Sequence, residues 1–142
     1  MGYYYLFSYG TFIDQEVQHI LFGRIVTVGP ALLLQHSRYA DADGYYFVLQ
    51  EPGCSVRGEL LCLSADELVV ADLWENVPDY VRVPVRVQLE SGSTVNAYVY
   101  YRSSPQAKLP APPGTLAAVP RQQVIAAAQE LAAELSAGGG CI

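Results

Sequence analysis

Residues 81–102 constrain this chain more than any other stretch. Val83, Val85 and Val87 alternate with Arg82, Pro84 and Arg86, the period of a strand with one covered face. Glu90-Ser91-Gly92-Ser93 then reads as a hairpin turn, and residues 94–102 return as an apolar, tyrosine-rich strand. A fold organised around such a hairpin is a sheet fold, and the remaining segments have to extend or cover that sheet.

Several segments extend it. Residues 3–9 are almost all aromatic or aliphatic, as in a strand covered on both faces, and Gly10 stops the run. Residues 25–28 and 31–35 read as two strands separated by Gly29-Pro30, and residues 45–49 as another after a polar turn at 41–44. Glu51-Pro52-Gly53 is a turn signal. Residues 56–63 resume a strand in which Gly58 marks a bulge or a close backbone approach.

The helices are fewer. Asp14 precedes Val17, Ile20 and Leu21 at helical spacing, with Gly23 as the stop. Ser64-Ala65-Asp66-Glu67 is a capping box that opens a helix to about Glu75, ending near residues 76–78. Residues 103–120 hold five prolines and read as an ordered arm or a flexible linker. Pro120 starts a last helix with Val124, Ala128, Leu131 and Leu135 on one stripe, and Gly138-Gly139-Gly140 ends it. Six or seven strands with two or three short helices make an α+β domain on a curled sheet or barrel.

Composition narrows the function. At 142 residues the chain is one domain, and 51% hydrophobic against 15% charged residues leaves ample material for a core. The net charge is −6 and Lys108 is the sole lysine, so a phosphate-tracking surface for nucleic acid is not expected. No apolar run approaches the roughly 18–20 residues of a membrane span. The first residues lack a basic n-region, Leu6 stands where a myristoylation motif wants Ser or Thr, and Cys141 is penultimate rather than in a prenylation box. Cys54, Cys62 and Cys141 are odd in number and form no close metal-ligand pair, which suits reduced thiols in the cytoplasm and no metal site. A Ser-His-Asp signature, a P-loop and a Rossmann glycine pattern are all absent.

Four features carry candidate chemistry: the Tyr9-Gly10-Thr11-Phe12 turn, Asp72 with Glu75, Tyr80 with Arg82, and the tyrosines of the returning strand. At 100° per residue Leu68, Asp72 and Glu75 share one side of their helix, while Val69, Val70, Leu73 and Trp74 cover much of the rest. So apolar a helix reads as mostly buried, and its carboxylates either face the one solvent-exposed stripe or line a polar cavity. Glu75 lies in the last turn, where the helix dipole disfavours another anion. Such surroundings raise a carboxyl's proton affinity toward neutrality, which suits a general base. A glycine turn leaving a buried strand often presents successive N–H groups able to hold an oxyanion, although Gly there is also an ordinary turn residue.

Together these pieces resemble the γ-glutamylcyclotransferase-like family, which includes the plant avirulence-induced-gene-like proteins. Leu6-Phe7-Ser8-Tyr9-Gly10-Thr11-Phe12 resembles its first strand and loop, and Val17 to Arg24 its following helix. Val56-Arg57-Gly58-Glu59-Leu60 is similar to its V-x-G-E-L strand, Asp72-Leu73-Trp74-Glu75 with Tyr80-Val81-Arg82 to its central signature, and Ala97-Tyr98-Val99-Tyr100 to its late strand. The likeness runs from about residue 5 to 101 and leaves the last forty residues without a family motif.

The resemblance implies a six- or seven-stranded barrel-like core over residues 1–102, with the Pro-rich arm and last helix of 103–142 packed on the same domain. It also implies cofactor-independent release of 5-oxoproline and a free amine from a small γ-glutamyl amine or peptide. Glu75 would be the general acid/base, and Gly10, Thr11 and Phe12 would hold carboxylate or oxyanion, braced by Tyr9. Tyr80 and Tyr100 would donate hydrogen bonds at the pocket, and Arg82 is carried over by position, with an outward strand role as its alternative. Asp72 is implied to fix the helix end. Phe12 replaces the family's commoner leucine, and the connection from Asn76 to Asp79 is short, so both bear on the substrate. The alternatives are another ring-closing or proton-transfer reaction in the same pocket, or a ligand-binding module. The arm and the Ala-rich helix are left as a homodimer contact or a lid.

Overall fold

A computed structural model describes residues 2–76 and 79–139. Strand β1 (Tyr3–Ser8) leads through a single 3-10 turn (Thr11–Ile13) into helix α1 (Gln15–Phe22). Strands β2 (Thr27–Ala40) and β3 (Tyr46–Ser64) form a long antiparallel pair, followed by helix α2 (Ala65–Trp74). The hairpin of β4 (Tyr80–Leu89) and β5 (Thr94–Arg102) comes next, then the two-residue β6 (Leu109–Pro110) and helix α3 (Arg121–Gly139).

The strands run β3-β1-β5-β4-β2, and a further β2–β3 pairing closes the ring, so five strands make a barrel with β6 added against Tyr39 and Ala40 of β2. Among the described residues only β1 and β5 pair in parallel, with Leu6 opposite Tyr98. Closure leaves few edges open to other chains. It also splits the apolar residues of each strand between two cores. Phe7, Leu33, Val48, Leu60, Val87 and Val99 cluster without any helical residue, as the barrel filling must. Their neighbours Leu6, Leu61 and Leu63 join Val17, Leu21, Leu68, Ala71, Val124 and Ala128 between barrel and helices. Each of these fully covered leucines contributes roughly 1.5–3 kcal/mol.

Local signals place the helix ends. Asp14 caps α1 by accepting from the Glu16 N–H, and Gly23 ends it in the left-handed conformation at φ 73°. Ser64 and Glu67 form the reciprocal capping box of α2. Gly58 is a close approach rather than a bulge: a Cβ there would collide with the Ser8 carbonyl and the Phe7 ring.

Three expectations are corrected. Gly29-Pro30 does not divide two strands, because the ladder to β3 carries straight across it, with Gly29 opposite Leu60 and Pro30 opposite Glu59 after one register shift. Glu51-Pro52-Gly53 is likewise no turn between strands. Leu34 pairs with Ser55 and His36 with Gln50, so residues 51–54 bulge out opposite Gln35, which takes φ 62° and accepts from the Gly53 N–H at 2.8 Å. Finally, α2 is not mostly buried. Leu68 and Ala71 face the core, but Val69 and Leu73 are 58% and 50% exposed, because this helix lies on the outside of the barrel with nothing beyond it.

The stretch after β5 is an ordered arm. Asp41 Oδ1 accepts from the Gln106 and Ala107 N–H groups at 2.9 and 2.8 Å, and Ala118 N–H donates to the Gly44 carbonyl at 2.7 Å. Helix α3 then packs on α1 through Val124 and Ala128, with the Arg121 guanidinium bridging Asp14 and Glu16. Among the described residues no helix is long and apolar enough to cross a membrane.

Candidate active site

At one end of the barrel a cavity of about 260 Å³ opens between the β1 exit loop, the end of α2, the β2–β3 turn and the arm. Tyr9, Gly10, Thr11, Phe12, Glu75, Tyr80 and Tyr100 all line it. Tyr9 and Tyr100, 91 positions apart, meet here because β1 and β5 are barrel neighbours, and α2 ends above them.

The β1 exit supplies polar backbone. Gly10 O accepts from the Ile13 N–H and Thr11 O from the Asp14 N–H, which closes the turn. The amide groups of Gly10, Thr11 and Phe12 find no acceptor among the described residues. Successive peptide N–H groups without acceptors are able to hold an anion, which makes these three the candidate cradle. Leu116 of the arm presses its carbonyl against Gly10, where an added Cβ would approach to 3.3 Å. Phe12 is buried, with its ring stacked on Phe22 at 5.7 Å and tilted against Trp74 at 6.3 Å.

Helix α2 delivers the carboxyl. Trp74 Nε1 donates to Thr11 Oγ1 at 3.0 Å, tying the last turn of the helix to the loop and setting Glu75 across the cavity from it. Glu75 caps the helix, its N–H bonded to the Ala71 carbonyl. Among the described residues its carboxyl has no hydrogen-bond or ion-pair partner. Burial raises its pKa to about 8, with Arg102 pulling it down and Asp72 pushing it up. The residue as a whole keeps partial exposure, and what burial acts on is the carboxyl inside the cavity.

The tyrosines are wall and brace. Tyr9 donates to the Tyr100 carbonyl at 2.7 Å, Tyr80 to the Tyr46 carbonyl at 2.9 Å, and Tyr100 to Asp72 Oδ1 at 2.6 Å. Burial raises all three phenol pKa values, so they stay neutral near pH 7. Each has spent its one proton on a protein acceptor. Toward a ligand they offer acceptor lone pairs, not the donors expected of Tyr80 and Tyr100, and this suits a bound ammonium.

Arg82 is not among the lining residues. Its guanidinium holds Asp72 through two bonds of 2.9 and 3.1 Å and stacks over the Tyr98 ring at 4.7 Å. The position that the sequence left between pocket and outward strand therefore serves the helix end. Arg102, which no motif had indicated, does line the cavity. It bonds Asp43 at 2.6 and 2.8 Å, lies 3.3 Å from Asp41 Oδ2, and stacks over the Tyr80 ring at 5.0 Å. Asp41 is only 2% exposed, and its carboxylate, in contact with the Ala42, Gln106 and Ala107 N–H groups and with Arg102, joins the β2–β3 turn, β5 and the arm. The spacing from Asp41 to Arg102 gave no signal, since only barrel closure brings the two together. Val77 and Pro78, in the short connection singled out earlier, lie outside the described residues, as does Cys141. Among the described residues no group of three His, Cys, Asp or Glu is placed to hold a metal ion.

The closed barrel thus holds an unpartnered carboxyl and free loop amides in the lining of one cavity. Residues 6–116 match the model of the family described as gamma-glutamyl cyclotransferase, AIG2-like, and the chain belongs to that family. Among solved structures it is similar to one titled gamma-glutamyl cyclotransferase, at 19% identity and TM-score 0.70, covering 78% of this chain and 73% of that one. An Arabidopsis thaliana protein, At5g39720.1, is 24% identical at TM-score 0.66, covering 73% and 71%. An AIG2-like protein from Mus musculus is 24% identical at TM-score 0.61, covering 72% and 79%. At these identities the solved structures attest the fold. No curated protein matches the sequence.

Proposed function

We propose that this protein is a γ-glutamyl cyclotransferase that releases 5-oxoproline and a free amine from a small γ-glutamyl amine, with Glu75 as general acid and base. The observation that carries this reading is the pairing in one cavity of an unpartnered carboxyl, pKa about 8, with the free amides of Gly10, Thr11 and Phe12. Family membership supports the same class of chemistry.

The substrate's α-ammonium sits against Glu75 and the tyrosine oxygens. Ionised Glu75 takes one proton from it, and a carboxyl with pKa near 8 is well matched to an ammonium for that exchange. The freed amine attacks its own γ-carbonyl, forming the ring C–N bond, while the cradle amides hold the oxyanion. As the carbonyl re-forms, the bond to the leaving amine breaks. Both protons shed by the attacking nitrogen end on the departing amine, the first by way of Glu75. No water is consumed and no electrons change hands.

The test is 5-oxoproline release from a panel of γ-glutamyl amines, amino acids and peptides, with wild type and Glu75→Gln side by side. Release that depends on Glu75 supports the reading. Full activity in the variant, or silence of a folded wild type across the panel, overturns it.

A further inference from the structure

Arg38 is the unusual arginine of this molecule. Four others reach carboxylates: Arg24 pairs with Glu67, Arg82 with Asp72, Arg102 with Asp41 and Asp43, and Arg121 with Asp14 and Glu16, while Arg57 and Arg86 are exposed, the latter bonded to the Thr94 hydroxyl. Among the described residues Arg38 has no carboxylate, although it is partly buried and desolvation draws its pKa down. Its guanidinium lies 4.7 Å over the Tyr46 ring and donates to two backbone carbonyls, Tyr9 O at 2.7 Å and Pro112 O at 2.9 Å. A half-buried cation is costly to keep unless something offsets it, and here two carbonyl dipoles and an aromatic face do so.

One belongs to a residue of the cavity wall, Tyr9, and the other to the arm that supplies Leu116 to that wall. Tyr9 O shares its peptide with the Gly10 N–H, one of the unpaired amides of the cradle. In a trans peptide the two point in opposite directions, so Arg38 stands behind the donor that faces the ligand. A cation on the carbonyl polarises the whole unit and strengthens its N–H as a donor. Pro112 O sits on the arm. The same carbonyl accepts from Thr115 Oγ1 at 2.6 Å, and Thr115 bonds Tyr46 Oη at 2.6 Å, which fixes the turn just before Leu116 closes the wall beside Gly10.

We propose that Arg38 is a positioning residue: one guanidinium latches the motif-free arm onto the back of the Tyr9–Gly10 peptide and polarises the Gly10 amide toward the developing oxyanion. It does not line the cavity and touches no substrate. The inference rests on the cyclotransferase reading for its catalytic consequence, but not for its structural one.

The experiment compares wild type, Arg38→Met, Arg38→Lys and, for chemical rescue, Arg38→Ala. Without substrate, the Gly10 amide proton shift is read by NMR, and hydrogen exchange is read at the Ala118 N–H, which the arm bonds to Gly44. With γ-glutamyl methylamide, kcat and KM are read separately. Removal of one oxyanion donor costs about 10²–10³ in kcat, so weakening one should cost about tenfold, with KM changing less. Arg38→Met should move the Gly10 proton upfield and speed exchange at Ala118. Arg38→Lys should restore part of the shift and of kcat, and ethylguanidinium should rescue Arg38→Ala. An unchanged Gly10 shift in a folded Arg38→Met protein overturns the latch. So does a loss of kcat that follows melting temperature and is restored neither by lysine nor by ethylguanidinium. If wild type releases no 5-oxoproline the cyclotransferase reading fails, and the amide shift still decides the latch.

Discussion

Asp72 and Glu75 stand one turn apart on the same helix and live in opposite surroundings. Asp72 receives two bonds from Arg82 and one from Tyr100, and these outweigh its burial to hold its carboxyl below the ordinary range. Glu75, three residues on, has no such partner and is pushed up to about 8 by burial. Environment divides two like groups into a fixed anion and a carboxyl that holds its proton up to about pH 8. The division is also cooperative, since the settled charge of Asp72 is one of the influences that raise Glu75.

Three substitutions and one pH series break or sharpen this contrast. Glu75→Gln should lower 5-oxoproline release by about 10²–10⁴, the range for a lost general acid/base, with an unaltered circular dichroism spectrum. Asp72→Asn leaves Arg82 and Tyr100 without their anion and should cost roughly 1–3 kcal/mol in urea unfolding. It should also move the rising limb of the pH–rate profile below about 8, because an anion that disfavours ionised Glu75 is gone. Arg102→Met should do the reverse, carrying that limb above about 8 by removing the cation that favours ionised Glu75. A common direction for the two shifts would refute the electrostatic account.

A further effect is on stability. The folded state holds the Glu75 proton more tightly than the unfolded chain, so stability from this group is full below pH 4.5 and lost as pH rises through about 8. Melting temperatures of wild type and Glu75→Gln should therefore draw closest at low pH, with the variant gaining progressively from about pH 4.5 and levelling off above about pH 8. A constant offset across the series would place the Glu75 pKa elsewhere.

Much of the frame was legible because it rests on short-range chemistry. The Val83-Val85-Val87 alternation and the turn at Glu90 to Ser93 act within a few residues, and β4 and β5 form as they imply. The Ser64–Glu67 box and the Asp14 cap act within one turn of their helices. Glu75 was legible for a related reason, since its place at the helix end follows from the cap that starts that helix. Where local signals misled, a longer-range interaction outweighed them. Gly29-Pro30 and Glu51-Pro52-Gly53 have the composition of turns, but the barrel ladder on either side absorbs one as a register shift and the other as a bulge. Val69 and Leu73 read as core because hydropathy says nothing of what lies beyond a helix.

The sequence by itself determined the hairpin, the capped helices, the glycine at the β1 exit and the carboxyl at the end of α2, all set by neighbours along the chain. Only the tertiary structure decided that Arg102 would meet Asp41 and Asp43, that Arg82 would serve Asp72, and that Arg38 would join the arm to the cradle. These pairings span from ten to more than seventy positions. Closing the barrel makes them neighbours, and burial, which no residue carries alone, then sets which carboxyl keeps its proton.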